Sequence, residues 1–286
     1  MKKFKSTGIS YGSGTIINGI ATGKGSAFGI DLKVKCSVEL YDDGKGIITG
    51  SVKNNPSIKP NLLITSVKNT LKYYGYKSYS GHIVSESELP IKSGLSSSSA
   101  TSNAAVLATI DALGEKIDDN VVIELGIKSS FDEKLTITGA YDDATASYFG
   151  GITITDNINR KLLKRGKFKE DIYTVIFIPN LNKNVNVNRM KLIGRFIEIA
   201  FKECLNGNYY EALFLNGISY AGALGFPTEY IFTALEAGAI TSGLSGTGPS
   251  YISLVYEEDV KKVSDSLEKY GKTIITKPTY NKATVI

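Results

Sequence analysis

The spacing of apolar and polar positions changes along the chain, and the changes mark out its elements. In residues 33–40 (KVKCSVEL) apolar side chains alternate with polar ones, the two-residue repeat of a half-buried strand. Residues 8–31 are glycine-rich with interspersed β-branched residues. They predict two short strands, near 15–20 and 27–40, joined by a turn at 23–25. YDDGKG at 41–46 predicts a hairpin turn, and 47–52 a further strand. Residues 62–74 predict a helix that stops at Gly75, and 79–86 another strand.

Helical spacing follows. AAVLATI, after a run of serines, carries apolar residues at Val106, Ile110 and Leu113 and ends near Gly114. Asp118 and Asp119 can cap a helix over 120–134. Residues 141–149 predict a loop between that helix and a strand beginning after Gly150-Gly151. The charged, turn-rich stretch 156–171 predicts a boundary between an N-terminal domain, 1–156, and a C-terminal domain, 157–286. Beyond it the pattern predicts a buried strand at 172–179 and helices near 189–205, 209–224 and 228–237. A glycine-rich turn within 238–256, a strand at 250–256, a helix at 259–270 and a strand at 273–276 close the chain. That succession is a mixed α+β protein.

Composition narrows the function classes. Of 286 residues, 42% are hydrophobic and 21% charged, enough apolar material for a real core. The formal net charge of +5 suits anionic ligands, but no basic run with interleaved aromatics argues for nucleic acid. Cys36 and Cys204 lie far apart and form no C-x-x-C pair, which predicts buried thiols in a reducing compartment. His82, the single histidine, sits in a predicted strand; a zinc site or Ser-His-Asp triad would have to rest on it alone, and a structural or surface role is the expectation. No secretory signal follows Met1, and apolar runs such as 173–178 are too short to span a bilayer. The expectation is a soluble, cytoplasmic protein.

The candidate chemistry concentrates in three stretches. PIKSGLSSSSATSNAAVLA, 90–108, is a loop feeding a helix start. Unpartnered N–H groups and the helix dipole there favour an anion, and small residues let a phosphate approach the backbone. A flexible serine linker would look similar, but would not run straight into a strong helix pattern. TGKGS at 22–26 resembles a P-loop and fails the test: Asn18 stands where a glycine is required, and Gly25 where Ser or Thr is required. The second stretch holds Asp142 and Asp143, two adjacent acids among small and aromatic residues. A carboxylate at the edge of a core is a reactive-site candidate. The third, SGLSGTGPS at 242–250, is a second glycine-rich turn.

Together these stretches resemble the three signatures of the GHMP kinase superfamily. The central one, Pro-x-x-x-Gly-Leu-x-Ser-Ser, is present as Pro90, Gly94, Leu95, Ser97 and Ser98. Ser96 and Ser99 depart from the glycine and alanine that many members carry there. GKGSAFGIDLKV at 23–34, SGLSSSSA at 93–100 and GAYDDATASYFGG at 139–151 are most similar to the archaeal shikimate kinases, a branch of that superfamily. The resemblance implies a two-domain α+β fold, with an N-terminal part like the second domain of ribosomal protein S5 and a ferredoxin-like C-terminal part. It implies ATP and Mg²⁺ as cofactors and phosphorylation of the 3-hydroxyl of shikimate. Homoserine and mevalonate are the alternative substrates, and a non-catalytic ligand-binding relative is the alternative of another class.

The resemblance assigns Pro90, Ile91, Lys92, Ser93, Gly94, Leu95, Ser96, Ser97, Ser98, Ser99 and Ala100 to the nucleotide. It assigns Ser98 and Glu133 to the metal, and Asp142 or Asp143 to catalysis. Spacing to Gly150-Gly151 favours Asp142. Gly243, Gly246 and Gly248 would close the site against the nucleotide loop. Lys24, Arg189 and Arg195 are the candidates for the substrate carboxylate.

Overall fold

A computed structural model describes residues 3–53, 55, 57–90, 93–136, 138–181 and 186–286. The N-terminal sheet is built on a long antiparallel hairpin, β1 (Lys3–Ile17) and β2 (Lys24–Asp42). β2 is long enough to carry two partners. Residues 34–42 pair antiparallel with β4 (Tyr79–Ser87), which in turn pairs parallel with β3 (Ile48–Val52). The other end, 24–28, pairs with β5 (Ile152–Asp156), and β5 with β6 (Lys161–Gly166). Over β3 and β4 packs α1 (Asn61–Tyr74), which ends where Gly75 turns left-handed at φ 89°.

The helix at the centre of this half is α2 (Ser97–Ala112). It is buried on all sides, as its apolar and small-residue composition demands. Ala100, Ala104, Ala105 and Ala108 belong to the main core with the sheet, while Val106, Leu107 and Ile110 meet α3 (Asp119–Asp132) and α4 (Tyr141–Phe149). The alanines allow a close approach: a Cβ on Gly8 of β1 would lie 2.2 Å from the Ala104 carbonyl oxygen. Val106 and Ile110 are fully buried as the spacing predicts, and Leu113 is half-buried. α3 starts as expected, with the Asp118 side chain accepting from the N–H groups of Asn120 and Val121.

The second half is an antiparallel sheet in the order β10 (Gly271–Thr276), β7 (Tyr173–Pro179), β9 (Tyr251–Val255), β8 (Thr241–Leu244). Helices α5 (Gly194–Asn206), α6 (Tyr209–Leu224), α7 (Glu229–Glu236) and α8 (Val260–Glu268) accompany it. The chain then turns back. Residues 277–283 bond to Gly29, Asp31, Tyr148 and Gly151, and β11 (Thr284–Val285) pairs with β1.

Four readings need correction. The two short strands expected near 15–20 and 27–40 are the long strands β1, which starts at Lys3 and ends at Ile17, and β2, which starts at Lys24, so the turn lies at 18–23 and not at 23–25. Residues 141–149 form the helix α4, not a loop: its two acids stand in the first helical turn, and Tyr141, Ala144 and Tyr148 pack into the core with α2 and α3. Residues 161–166 form β6, whose largely exposed, charged side chains belong to a strand at the sheet's solvent edge. The chain also adds β8 and β11 to the expected strands. The 156/157 division falls between β5 and β6 of one hairpin. Both cysteines are buried and unpaired, and no helix among the described residues is long and apolar enough to cross a membrane.

Candidate active site

One cavity of about 960 Å³ gathers residues from both halves. The segment 93–98 lines it just before and at the start of α2, and is held from the other half of the chain. Gly94 adopts φ 73°, and its carbonyl accepts the Ser245 hydroxyl at 2.9 Å. The Ser245 oxygen also accepts the Thr15 N–H at 3.3 Å. The Gly246 N–H donates to the Thr15 hydroxyl at 3.0 Å, and the Asn18 amide to the Gly246 carbonyl at 2.8 Å. The buried Leu95 accepts the Ser13 N–H at 3.3 Å. Thus the glycine-rich turn of the second half is tied to the serine loop of the first through β1.

Ser96 caps α2 in the left-handed region, at φ 58° and ψ 31°. That conformation costs a non-glycine residue about 1–3 kcal/mol and persists only where surroundings enforce it. The first N–H groups of α2 have no partner within the helix, and no acid stands in its first turn. The positive end of the dipole is therefore free to receive an anion where Ser97 and Ser98 line the cavity.

A second helix starts at the same cavity. α4 follows Ala140, also left-handed at φ 45°, and carries Asp142 and Asp143 in its first turn. Asp142 is 5% exposed. Its Oδ1 accepts Asn157 Nδ2 at 2.9 Å, and its N–H donates to Asn157 Oδ1 at 3.1 Å. The Thr155 hydroxyl donates to the same Asn157 oxygen at 2.7 Å. The Gly19 N–H adds another bond to the Asp142 carboxylate, and a Cβ on Gly25 would sit 2.1 Å from its Oδ2. Asp142 is thus enclosed and fully engaged.

Asp143 is half-buried and meets only hydroxyls: Ser13 Oγ lies 3.4 Å from Oδ1, and the Ser96 side chain bonds to it. Ser13 Oγ donates to Ser96 Oγ at 2.6 Å. Burial pushes both carboxyls above the ordinary carboxylate range, and the neighbouring Asp142 charge pushes Asp143 further. Bonds donated to the charged forms by Asn157, Gly19 and the serines oppose the rise.

This raises a pH expectation. If a carboxylate of this pair must be ionised to work, kcat/KM of the free enzyme falls on acidification from near neutrality, well above the ordinary value of 3.8. The same shift acts on stability. Between 3.8 and the raised folded value the unfolded chain has already lost the proton that the folded chain retains, so stability declines as pH rises through that window. A Tm-versus-pH series checks this: Asp143→Asn should flatten the decline, and an unchanged slope would count against it.

Glu133 also lines the cavity and accepts a hydrogen bond from the Thr65 hydroxyl. Hydroxyl and carboxylate oxygens are what Mg²⁺ prefers, so Ser98 and Glu133 fit a site for it. Among the described residues no group of three or more His, Cys, Asp or Glu is assembled. Phosphate oxygens and water would then supply the remaining ligands.

Of the residues singled out from the sequence, Pro90, Ser93, Gly94, Leu95, Ser96, Ser97, Ser98, Glu133, Asp142, Asp143 and Gly246 line this cavity. Ser99 and Ala100 are buried one turn into α2. Ile91 and Lys92 lie outside the described residues. Gly243 is buried in β8 against Leu213 and Gly217, and Gly248 packs behind the loop near Gly94. Lys24 is not on the cavity wall: it is exposed, with Nζ 5.7 Å from the Phe201 ring. Arg189 and Arg195 are exposed and also lie off the wall, where Lys59 is the one Lys or Arg among the described residues. Sequence reasoning missed Ser13, Thr15, Asn18, Asn157 and Ser245. None belongs to a local pattern that marks it, except that Ser245 lies inside the third signature.

The GHMP kinases N terminal domain matches residues 61–151, which contain the serine loop, α2 and the Asp142–Asp143 pair. Over the longer span, the shikimate kinase of Methanosarcina mazei is 45% identical across 92% of this chain and 89% of its own. The chain belongs to the GHMP kinase family, among its archaeal shikimate kinases. The shikimate kinase of Methanosarcina acetivorans is 42% identical across 94% of this chain and 91% of its own. Among solved GHMP kinase structures, Methanococcus jannaschii mevalonate kinase superposes with a TM-score of 0.74 at 17% identity, covering 97% of this chain and 98% of that one. Cytophaga hutchinsonii homoserine kinase gives 0.73 at 18%, covering 100% and 98%. At those identities the structures establish the shared two-domain α+β kinase fold.

Proposed function

We propose that this GHMP kinase transfers the γ-phosphoryl group of ATP to the 3-hydroxyl of shikimate. The observation that carries the reading is the meeting of two helix starts at one cavity: α2 offers unpartnered N–H groups, and α4 offers a carboxylate. Phosphoryl transfer needs mainly position and charge stabilisation, and these are the two parts it needs from the protein. The choice of shikimate rests on the relatives' names and their high coverage.

ATP phosphates lie against 94–98, and the apolar wall formed by Val52, Ile58, Leu62, Leu63 and Leu89 takes the base. The hydrogen bonding supports Asp143 over Asp142 as the base. Asp142 is saturated by Asn157 and Gly19, whereas Asp143 is partly open and held by hydroxyls that can rotate. Asp143 accepts the proton of the attacking hydroxyl as its oxygen bonds to the γ-phosphorus. The bond from that phosphorus to the β–γ bridging oxygen breaks, and ADP leaves. Ser98 and Glu133 would hold Mg²⁺, which would supply charge neutralisation at the phosphates when bound. Asn18, Asn157 and Thr247 line the cavity and are the polar groups available to substrate hydroxyls.

The test is substrate-dependent ADP release with shikimate, homoserine and mevalonate side by side. Shikimate alone is expected to drive turnover. Turnover of homoserine or mevalonate without shikimate would keep the kinase and replace its substrate, and ATP binding with no turnover of any would support a binding protein.

A further inference from the structure

Of the four non-glycine residues with positive φ among the described residues, Ser96 is the one whose side chain bonds to Asp143. Ser96 holds a left-handed backbone that glycine would adopt freely. Backbone strain of this kind clusters at functional sites, where the surroundings enforce it. The hydroxyl is placed between two elements: Ser13 Oγ of β1 donates to it at 2.6 Å, and it bonds to the Asp143 carboxyl of α4. The Ser13 hydroxyl is shared between Ser96 Oγ at 2.6 Å and Asp143 Oδ1 at 3.4 Å, and the Ser96 side chain bonds to the same carboxylate. The Ser96 carbonyl meanwhile accepts the Ala100 N–H at 3.0 Å, so the residue is also the junction between the nucleotide loop and α2. Among the described residues no Lys or Arg pairs with Asp143; its direct partners are these two hydroxyls.

We infer that Ser96 is a positioning residue that couples the nucleotide loop to the catalytic carboxylate: the relay from Ser13 through Ser96 aims Asp143 when the loop holds its phosphate-binding conformation. The inference rests on the proposed role of Asp143 as base. Glycine at 96 keeps the loop's backbone conformation accessible and removes only the relay. A residue needed merely to shape the loop would be replaced by glycine without loss, or with a loss of ATP affinity.

The experiment is a double-mutant cycle of Ser96→Gly with Asp143→Asn, read by steady-state kinetics and by titration with a non-hydrolysable ATP analogue. Ser96→Gly is expected to lower kcat at least about tenfold, with KM for ATP and analogue affinity within about twofold and Tm unchanged or higher. In the Asp143→Asn background the same substitution should change the residual rate by less than about twofold, because the carboxylate it serves is gone. Ser96→Gly with parental kcat overturns the inference. So does a raised KM for ATP at parental kcat, or an equal fall in kcat in both backgrounds, which would be the mark of a loosened loop. If Asp143→Asn alone keeps parental turnover, the base assignment fails and the inference with it. If Asp143→Asn is inactive while Ser96→Gly is not, the inference alone fails.

Discussion

Asp143→Asn is expected to lower kcat by about 10²–10⁴-fold, the usual contribution of a positioned general base. ATP affinity should stay near parental, since Asp143 stands on α4 and the phosphates are proposed to bind at the start of α2. The substitution also removes a carboxyl whose charge burial disfavours, so Tm at pH 8 should rise by about 2–4 °C for each kcal/mol recovered. Gain of stability with loss of turnover distinguishes a working group from a structural one. Asp142→Asn should behave differently. It retains an oxygen to accept Asn157 Nδ2, but it introduces an amide N–H₂ into a pocket closed by Gly25 and Gly19. A lower Tm is expected, as for other changes that leave a buried polar group unpaired, with kcat within about tenfold of parental. Coupled assays and thermal melts on the two variants decide. An inactive Asp142→Asn beside an active Asp143→Asn would give the base role to Asp142, as spacing alone suggests.

Gly94→Ala is expected to disable the nucleotide loop. At φ 73° any side chain is strained by about 1–3 kcal/mol. The added Cβ would also lie 2.7 Å from the Ser245 carbonyl oxygen and 3.2 Å from that of Gly248, both backbone atoms that cannot rotate aside. Relieving that overlap separates the loop from the turn and breaks the Ser245 hydroxyl bond to Gly94. KM for ATP should rise at least about tenfold, equivalent to about 1.4 kcal/mol. Tm should fall by about 5–15 °C, from the strain plus one or two lost hydrogen bonds of about 1 kcal/mol each. Gly75→Ala is the control. It has φ 89° but open space around it, so it isolates strain from contact. Equal losses in ATP affinity in the two variants would show that the contact with the second half is unimportant.

How far the site could be seen beforehand depended on whether its signal was local. The stretch 90–108 was legible because proline, glycine, small residues and a helix pattern follow each other without interruption. α4 was not. Two acids near a Gly-Gly pair look like a turn, and its helical face shows only once Tyr141, Ala144 and Tyr148 are seen packed with Val106, Ile110 and α3. The beginning of β1 was hidden for a related reason. Its apolar alternation is diluted by Ser and Gly residues, and Gly8 is there to let α2 come close. The partners of the aspartates lay further out of reach. Ser13 meets Ser96 across 83 positions and Asp143 across 130, and Thr15 meets Ser245 across 230. No sequence period reports such contacts. Asn157 was close in sequence to Asp142, yet it fell in a charged stretch read as a boundary, where β5 in fact delivers its amide to the carboxylate.

The returning segment after β10 has a consequence for how the protein is made. The first sheet, α2 and α4 are encoded early, but Gly29, Asp31, Gly151 and Tyr148 bond to residues 277–283, and β1 receives its outer strand from 284–285. A ribosome must therefore synthesise the entire second half before the first can complete its hydrogen bonding. Nascent chains halted at increasing lengths should hold the early half open to proteolysis until this last segment has left the exit tunnel.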